Sequence, residues 1–240
     1  MIKWFKCLLN LILPQRCLLC GRVIQSENSL CADCFKEINF IVAPYCQHCG
    51  KPLDLGRDDI QELMCISCLN KKDIFRLCRS AIIYDDKSKK LILDFKFADH
   101  LENKLLLSKW LYYAGRDIFD TEVDLIIPVP LHYTRLIKRK YNQSAVLAAE
   151  LSKLTNISAD YKSLKKIRYT IPQVQCDGKR RKINVRNAFV VTNPDRIKGK
   201  RIVLVDDVYT TGATMRECAK VLLKSGAKSV DVLTVARVCK

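Results

Sequence analysis

The sequence predicts an α/β protein, one domain on a central parallel sheet preceded by a small cysteine-knuckle module. Three observations carry this expectation. Past residue 80, strand-like and helix-like segments alternate, the pattern of a parallel sheet. Four C-x-x-C pairs crowd between residues 17 and 68. One apolar run, beginning at Arg201, ends on paired acids and a Thr-Gly loop. The 240 residues are 49% hydrophobic and 28% charged, as in ordinary globular proteins. That length suits one large domain with an appendage, residues 1–78 forming the module and residues 79–240 the larger domain. With 8 Gly and 7 Pro, collagen-like and low-complexity classes are excluded. No apolar run reaches the roughly 18 residues that span a bilayer.

The larger domain reads as follows. Residues 80–84 form a short strand, and 101–114 a helix with apolar Leu101, Leu105 and Tyr112. Residues 124–129 form a buried strand entering the stiff Pro128-Val129-Pro130. The helix at 142–154 sets Leu147, Leu151 and Leu154 at i, i+4 and i+7, and 201–205 is a buried parallel strand. The helix at 214–225 turns Met215, Ala219 and Leu222 inward and stops at Gly226, and 229–235 is the closing strand.

Eight of the 13 cysteines form the pairs Cys17/Cys20, Cys31/Cys34, Cys46/Cys49 and Cys65/Cys68. Disulfide frameworks use irregular spacings behind a secretory signal, whereas two C-x-x-C knuckles complete a tetrahedral zinc shell. Gly21 and Gly50 follow directly on a knuckle, where a turn aims N–H groups at sulfur without strain. Four pairs are also more than a thioredoxin-like redox site uses. Zinc is therefore expected, at one or two structural sites. Sequential pairing gives Cys17, Cys20, Cys31 and Cys34 at one and Cys46, Cys49, Cys65 and Cys68 at the other. An interleaved pairing satisfies the same spacing. Four thiolates leave no open position for a catalytic water, so the role is structural.

Ahead of the knuckles, Lys3 and Lys6 precede an apolar stretch like that of a signal peptide. Asn10 interrupts the stretch, and Pro14-Gln15-Arg16 replaces a small-residue cleavage site. An amphipathic helix packed on the body is expected instead. With thiolates bound to zinc, the compartment reads as cytoplasmic.

Lys and Arg number 42 against 25 Asp and Glu, a formal charge of +17. Residues 161–201 hold 13 Lys and Arg against only Asp177 and Asp195, a net +11. Such a run is ordinarily a solvated face, but here it accompanies a candidate phosphate site, and a negatively charged partner is expected.

That site is Arg201-Ile202-Val203-Leu204-Val205-Asp206-Asp207-Val208-Tyr209-Thr210-Thr211-Gly212-Ala213-Thr214. A buried strand ends on two carboxylates, and a hydroxyl-rich loop opens a helix. Ligands of parallel sheets sit at the carboxyl ends of strands. N–H groups and Thr hydroxyls there suit a phosphate, while adjacent acids suit sugar hydroxyls or hydrated Mg²⁺. A Walker B reading lacks its G-x-x-x-x-G-K-[ST], and no G-x-G-x-x-G marks a dinucleotide site. In the bland alternative the acids merely end the strand and Thr211 or Thr214 caps the helix. The full succession of strand, acid pair, loop and helix speaks against it.

This stretch resembles the phosphoribosyl-pyrophosphate (PRPP) signature of type I phosphoribosyltransferases. The resemblance implies a phosphoribosyltransferase-like domain in which Asp206 and Asp207 are the catalytic pair holding the ribose hydroxyls. Thr210, Thr211, Gly212, Ala213 and Thr214 would then hold the 5′-phosphate. Further motifs are Pro128-Val129-Pro130-Leu131-His132 with Arg135, Asn142-Gln143, Thr170-x-x-Gln173, Arg181-x-x-Asn184 and Ala188-Phe189. Together with the knuckles they resemble the ComF/ComFC family of competence-associated phosphoribosyltransferase-like proteins, over about residues 14–238. The chain departs at Arg139-Lys140-Tyr141-Asn142-Gln143, where Lys140 stands in place of the family's usual Gly.

The resemblance implies PRPP with Mg²⁺ as ligand and pyrophosphate beside Pro128, Val129 and Pro130, with Arg135 as a donor. Lys96 is a further candidate phosphate contact, although an isolated Lys is as readily just exposed. The run containing Thr170, Gln173, Lys179, Arg180, Arg181 and Asn184 falls where such enzymes often carry a lid. Family membership implies a role in DNA uptake during natural transformation or in nucleotide salvage, with other competence proteins as partners. The rival reading is a non-catalytic module in which zinc ribbons and the basic run grip single-stranded DNA. No side chain spells out the acceptor base.

Overall fold

The computed structural model describes residues 14–53, 63–70, 73–97, 102–170 and 185–239, leaving aside the Phe97 side chain. The expected N-terminal helix lies outside the described residues, as do Leu101, Gln173, Lys179, Arg180, Arg181 and Asn184. Two short helices, α1 (Ala32–Lys36) and α2 (Ile66–Asn70), belong to the cysteine module. Then follow β1 (Cys78–Ile83), α3 (Asp86–Phe97), α4 (Asn103–Ala114), α5 (Arg116–Phe119) and β2 (Leu125–Pro128). Next come α6 (Tyr133–Arg139), α7 (Gln143–Thr155), β3 (Leu164–Lys166) and β4 (Phe189–Val191). The chain closes with β5 (Arg201–Tyr209), α8 (Ala213–Lys224) and β6 (Ser229–Arg237).

Four strands form a parallel sheet in the order β1-β6-β5-β2, and β3 pairs with β4 in a separate antiparallel ribbon. A central parallel strand is buried on both faces, so it needs a continuous apolar run. Ile202, Val203, Leu204 and Val205 of β5 provide one. Alternation then divides the core. Val203 and Val205 pack with Leu91, Phe95, Leu107 and Leu151 from α3, α4 and α7. Ile202 and Leu204 pack on the other face with Met215, Cys218, Ala219 and Leu222 of α8. Gly226 ends α8 in the left-handed region at φ 92°.

The cysteine module joins the sheet at its β1 edge. Phe40 bridges to Ile82, with Ile41 N–H donating to the Ala81 carbonyl at 2.9 Å. At the other edge Ala159 bridges to Ile126 of β2. Both edges, open templates for pairing if bare, are thus occupied.

Several expectations need correction. The β5 ladder runs past Val205 to Tyr209, because β6 continues beside it, with Asp206 opposite Thr234 and Val208 opposite Ala236. The acid pair therefore sits within the strand and the loop is shortened to Thr210–Gly212. Leu105 is 36% exposed and Leu154 43%, so neither anchors its helix. The inward face of α4 is Leu106, Leu107, Trp110 and Leu111, and that of α7 is Leu147, Ala148 and Leu151. Helices α3 and α6 and the β3–β4 ribbon were not anticipated.

The inward face can be checked by mutation. Leu151→Ala is expected to cost about 2–5 kcal/mol and Leu154→Ala under about 1 kcal/mol, measured by urea denaturation. Equal losses would contradict this packing.

Candidate functional site

The acid pair lies within β5 near its carboxyl end, followed in the strand by Val208 and Tyr209, and two helices reach it from one face of the sheet. Lys96, in the last turn of α3, places its ammonium 2.9 Å from Asp207 Oδ2, with both side chains mostly buried. Ser144, in the first turn of α7, donates its hydroxyl to Asp206 Oδ1 at 2.7 Å. Burial and the neighbouring Asp207 charge push the Asp206 carboxyl well above the usual carboxylate range, to about 7. Ser144, the Asp207 backbone N–H and Lys96 hold it down only in part.

The α6–α7 connection fixes this geometry. Asn142 caps α7 by accepting from Ser144 N–H and donates to the Val129 carbonyl at 3.0 Å. Gln143 donates to the Lys96 carbonyl at 3.1 Å, and the Tyr141 hydroxyl donates to the Phe95 carbonyl. These bonds pin the end of α3 that carries Lys96. Lys140 takes φ 65°, the left-handed conformation that Gly adopts without strain.

After β5 the loop turns through Gly212 at φ 71°, where a Cβ would overlap the Tyr209 hydroxyl. Gly212 is the N-cap of α8 and offers no side chain to its first N–H groups. The Thr211 hydroxyl is buried and has no hydrogen-bond partner among the described residues. Arg216 of α8 donates to the Thr211 carbonyl and is itself held by Asp73, 3.1 Å from each carboxylate oxygen.

Pro128 pairs with Val205 in the sheet, and Val129 N–H donates to the Val205 carbonyl at 2.9 Å. Pro128, Val129 and Pro130 thus stand at the strand end adjacent to the acids. Arg135 is directed elsewhere, donating to the Thr170 carbonyl at 2.7 Å and lying over the Tyr169 ring. Lys166 of β3, absent from the sequence reading, donates to the Thr170 hydroxyl at 2.7 Å. Burial, with Arg135 close by, lowers its pKa to about 8. The structure thus brings Lys96, Asp206 and Asp207 together, places Pro128–Pro130 beside them and sends Arg135 toward the β3–β4 ribbon. Ser144, next to the recognised Asn142-Gln143, was the most findable omission. Asp73 and Arg216 carried no signal, since their meeting spans 143 positions of sequence.

The cysteines form two clusters, Cys17, Cys20, Cys31 and Cys34, and Cys46, Cys49, Cys65 and Cys68. Pairing is sequential. In each cluster the sulfurs lie within 4.8 Å of one another, with Cys20 to Cys31 at 3.8 Å and Cys49 to Cys65 at 3.7 Å. A tetrahedron with zinc–sulfur bonds of about 2.3 Å has edges of about 3.8 Å, so both sets fit structural zinc. Gly21 and Gly50 take φ 74° and 68° as each knuckle turns back, and a Cβ on Gly50 would stand 2.5 Å from the Cys78 carbonyl oxygen. Burial opposes ionisation of Cys17, but backbone N–H groups of Cys20, Cys31 and Leu19 outweigh it and bring its pKa to about 6.

A small double cysteine centre ahead of a parallel-sheet domain with an acid pair and a threonine loop defines a composite class. Family models match accordingly, a double zinc ribbon domain over residues 8–69 and a phosphoribosyl transferase domain over residues 118–238. Competence protein F of Haemophilus influenzae is 33% identical over 228 residues, spanning 92% of this chain and 96% of that protein. The DNA utilization protein YhgH of Escherichia coli is 30% identical across 92% of this chain and 89% of that protein. Competence protein ComFC of Bacillus subtilis is 24% identical across 90% and 87% respectively. The chain belongs to this competence protein F (ComF/ComFC) family. Among solved structures, a glutamine PRPP amidotransferase from B. subtilis is similar at 22% identity and TM-score 0.40, covering 59% of this chain and 30% of that one.

Two outcomes follow. Elemental analysis of the purified protein is expected to give two zinc ions per chain, and one or none would break the assignment of two four-thiolate sites. The raised Asp206 pKa also predicts a pH effect. The native state keeps a proton that the unfolded chain releases near 3.8, so this group lowers stability as pH rises from about 4 to 7. Asp206→Asn is expected to stabilise the protein more at pH 8 than at pH 4, read as the difference from wild type in thermal melts. A pH-independent difference would refute the sign.

Proposed function

We propose that the protein binds PRPP with Mg²⁺ at the end of β5 and serves DNA uptake in natural transformation, from the cytoplasmic side. One observation carries this reading, the acid pair followed by a buried Thr211 hydroxyl without a partner among the described residues and by a helix start with no side-chain cap. Asp206 and Asp207 would accept hydrogen bonds from the ribose 2′- and 3′-hydroxyls. Thr210, Thr211, Gly212, Ala213 and Thr214 would hold the 5′-phosphate with hydroxyls and N–H groups. Pyrophosphate would lie by Pro128, Val129 and Pro130, with Arg135, once released from the Thr170 carbonyl, and Arg181 as proposed cationic contacts.

Oxygen donors suit Mg²⁺, and Asp207 already attracts a cation, the Lys96 ammonium. Bound Mg²⁺ would neutralise pyrophosphate charge. The chain's own part is to orient the ribose with the acid pair and to fix the phosphate end. In glycosyl transfer the bond from C1′ to pyrophosphate oxygen breaks while one from C1′ to the acceptor forms. Lys96 would move from Asp207 to an incoming phosphate.

The names of the relatives, competence protein F and DNA utilization protein, support the biological role. Residues 1–78 would act as the zinc-ribbon module and 79–240 as the PRPP-binding domain, with other competence proteins as partners. A second reading, non-catalytic binding of single-stranded DNA, draws on the +11 of residues 161–201 and on Tyr133 and Tyr169, 66% and 50% exposed.

With Mg²⁺ present, PRPP at about 100 times its dissociation constant is expected to raise the melting temperature by about 5–10 °C. Asp206→Asn/Asp207→Asn should abolish that shift and leave any DNA binding and its salt dependence unchanged. No shift in the wild type sinks the PRPP reading.

A further inference from the structure

The second cysteine centre stands against the phosphate loop, and two relays of side chains connect them. In the first, Arg237 at the end of β6 donates to the Cys49 carbonyl at 2.6 Å and sets Nη2 3.7 Å from the Cys49 sulfur. Its guanidinium lies 4.5 Å from the centre of the Tyr209 ring. The Tyr209 hydroxyl in turn occupies the space a side chain on Gly212 would need. In the second relay, His48 within the Cys46–Cys49 knuckle accepts from Asp73 N–H at 3.0 Å. Asp73 holds Arg216, and Arg216 holds the Thr211 carbonyl. Between the relays lies a cavity of about 360 Å³, walled by the second centre on one side and by Tyr209, Thr210 and Thr211 on the other.

The first centre is placed differently. Its cysteines pack with Leu19, Ile24 and Leu30, and the Leu19 carbonyl accepts from Lys90 on α3.

We propose that the second centre sets the geometry of the phosphate loop, so that metal there strengthens binding of a phosphate-bearing ligand while metal at the first centre does not. Arg237, Asp73 and Arg216 are the positioning residues. The physical reason is that the Cys49 carbonyl and the His48 ring have fixed places only while the knuckle keeps its turn, closed by Gly50 N–H to the Cys46 carbonyl at 2.8 Å. Metal binding at a thiolate site is also folding of that site. Coupling between two sites is reciprocal, so ligand at the loop must likewise retain metal at the second centre. The inference rests on the PRPP reading for the identity of the ligand only.

The test uses the full-length, zinc-loaded protein and Arg237→Lys, which keeps the charge and loses the paired contact with Cys49. At equal zinc content, Arg237→Lys is expected to bind PRPP with Mg²⁺ about tenfold more weakly in calorimetry. Amide exchange at residues 210–214 should be faster than in wild type. During chelation, PRPP should protect Cys46, Cys49, Cys65 and Cys68 from alkylation and leave Cys17, Cys20, Cys31 and Cys34 unprotected, read by mass spectrometry. Unchanged affinity and unchanged loop exchange in Arg237→Lys, or equal protection of both sets, overturns the proposal. Should wild type bind no PRPP, the functional reading falls separately. Loop exchange after zinc loss from the second centre then decides, faster exchange supporting the coupling and unchanged exchange refuting it.

Discussion

Two adjacent carboxyl groups near the end of a buried strand, which cannot both ionise without cost, are the constraint around which the larger domain is arranged. At an effective dielectric of 20, two charges 4 Å apart repel by about 4 kcal/mol, and burial adds to the cost of ionising both. Asp206 and Asp207 are therefore compensated from outside β5, by Lys96 on α3 and Ser144 on α7. Both groups arrive only because α3 and α7 pack on the same face of the sheet, through Leu91, Phe95, Leu147 and Leu151 against Val203 and Val205. The hydrophobic packing of that face and the electrostatics of the site are one arrangement. The bonds from Tyr141 and Gln143 to the end of α3 belong to it too, since they hold the residue that meets Asp207.

The cysteine module solves a different problem. Its buried apolar clusters consist mainly of the cysteines themselves, helped at the second centre by Leu53 and Met64 and at the first by Leu19, Ile24 and Leu30. So small a segment cannot order itself by burial alone, and a metal held by four thiolates would supply the missing free energy. The module closes the β1 edge of the sheet through Phe40 and Ile82 and, through Arg237, contacts the end of β6. The second cysteine centre and the Thr210–Gly212 loop thereby share a wall.

The readable parts of the sequence were those whose chemistry is local. C-x-x-C spacing with Gly21 and Gly50 specified the knuckles, because two sulfurs three positions apart can share a metal only through a tight turn. The apolar run before Asp206 specified a central strand, because only burial on both faces tolerates it. Surface choice within helices was less readable. Leu105 and Leu154 matched a helical period, yet the helix is rotated by whichever neighbours fill the larger volume, here those meeting Leu107, Leu111 and Leu151. The ribbon of β3 and β4 was missed because three residues on each side leave little periodic signal.

By itself, the sequence determined the cysteine ligand types, the acid pair, the threonine loop and the parallel-sheet class, all matters of residue type and short spacing. Tertiary structure alone decided which cysteines share a centre, that Lys96 belongs to Asp207, and that Arg135 turns toward Thr170. It also decided that the second centre adjoins the Thr210–Gly212 loop, since Asp73 and Arg216, or Cys49 and Arg237, meet across 143 and 188 positions. Such pairings are selected by the packing of whole helices and strands, and no local pattern records them.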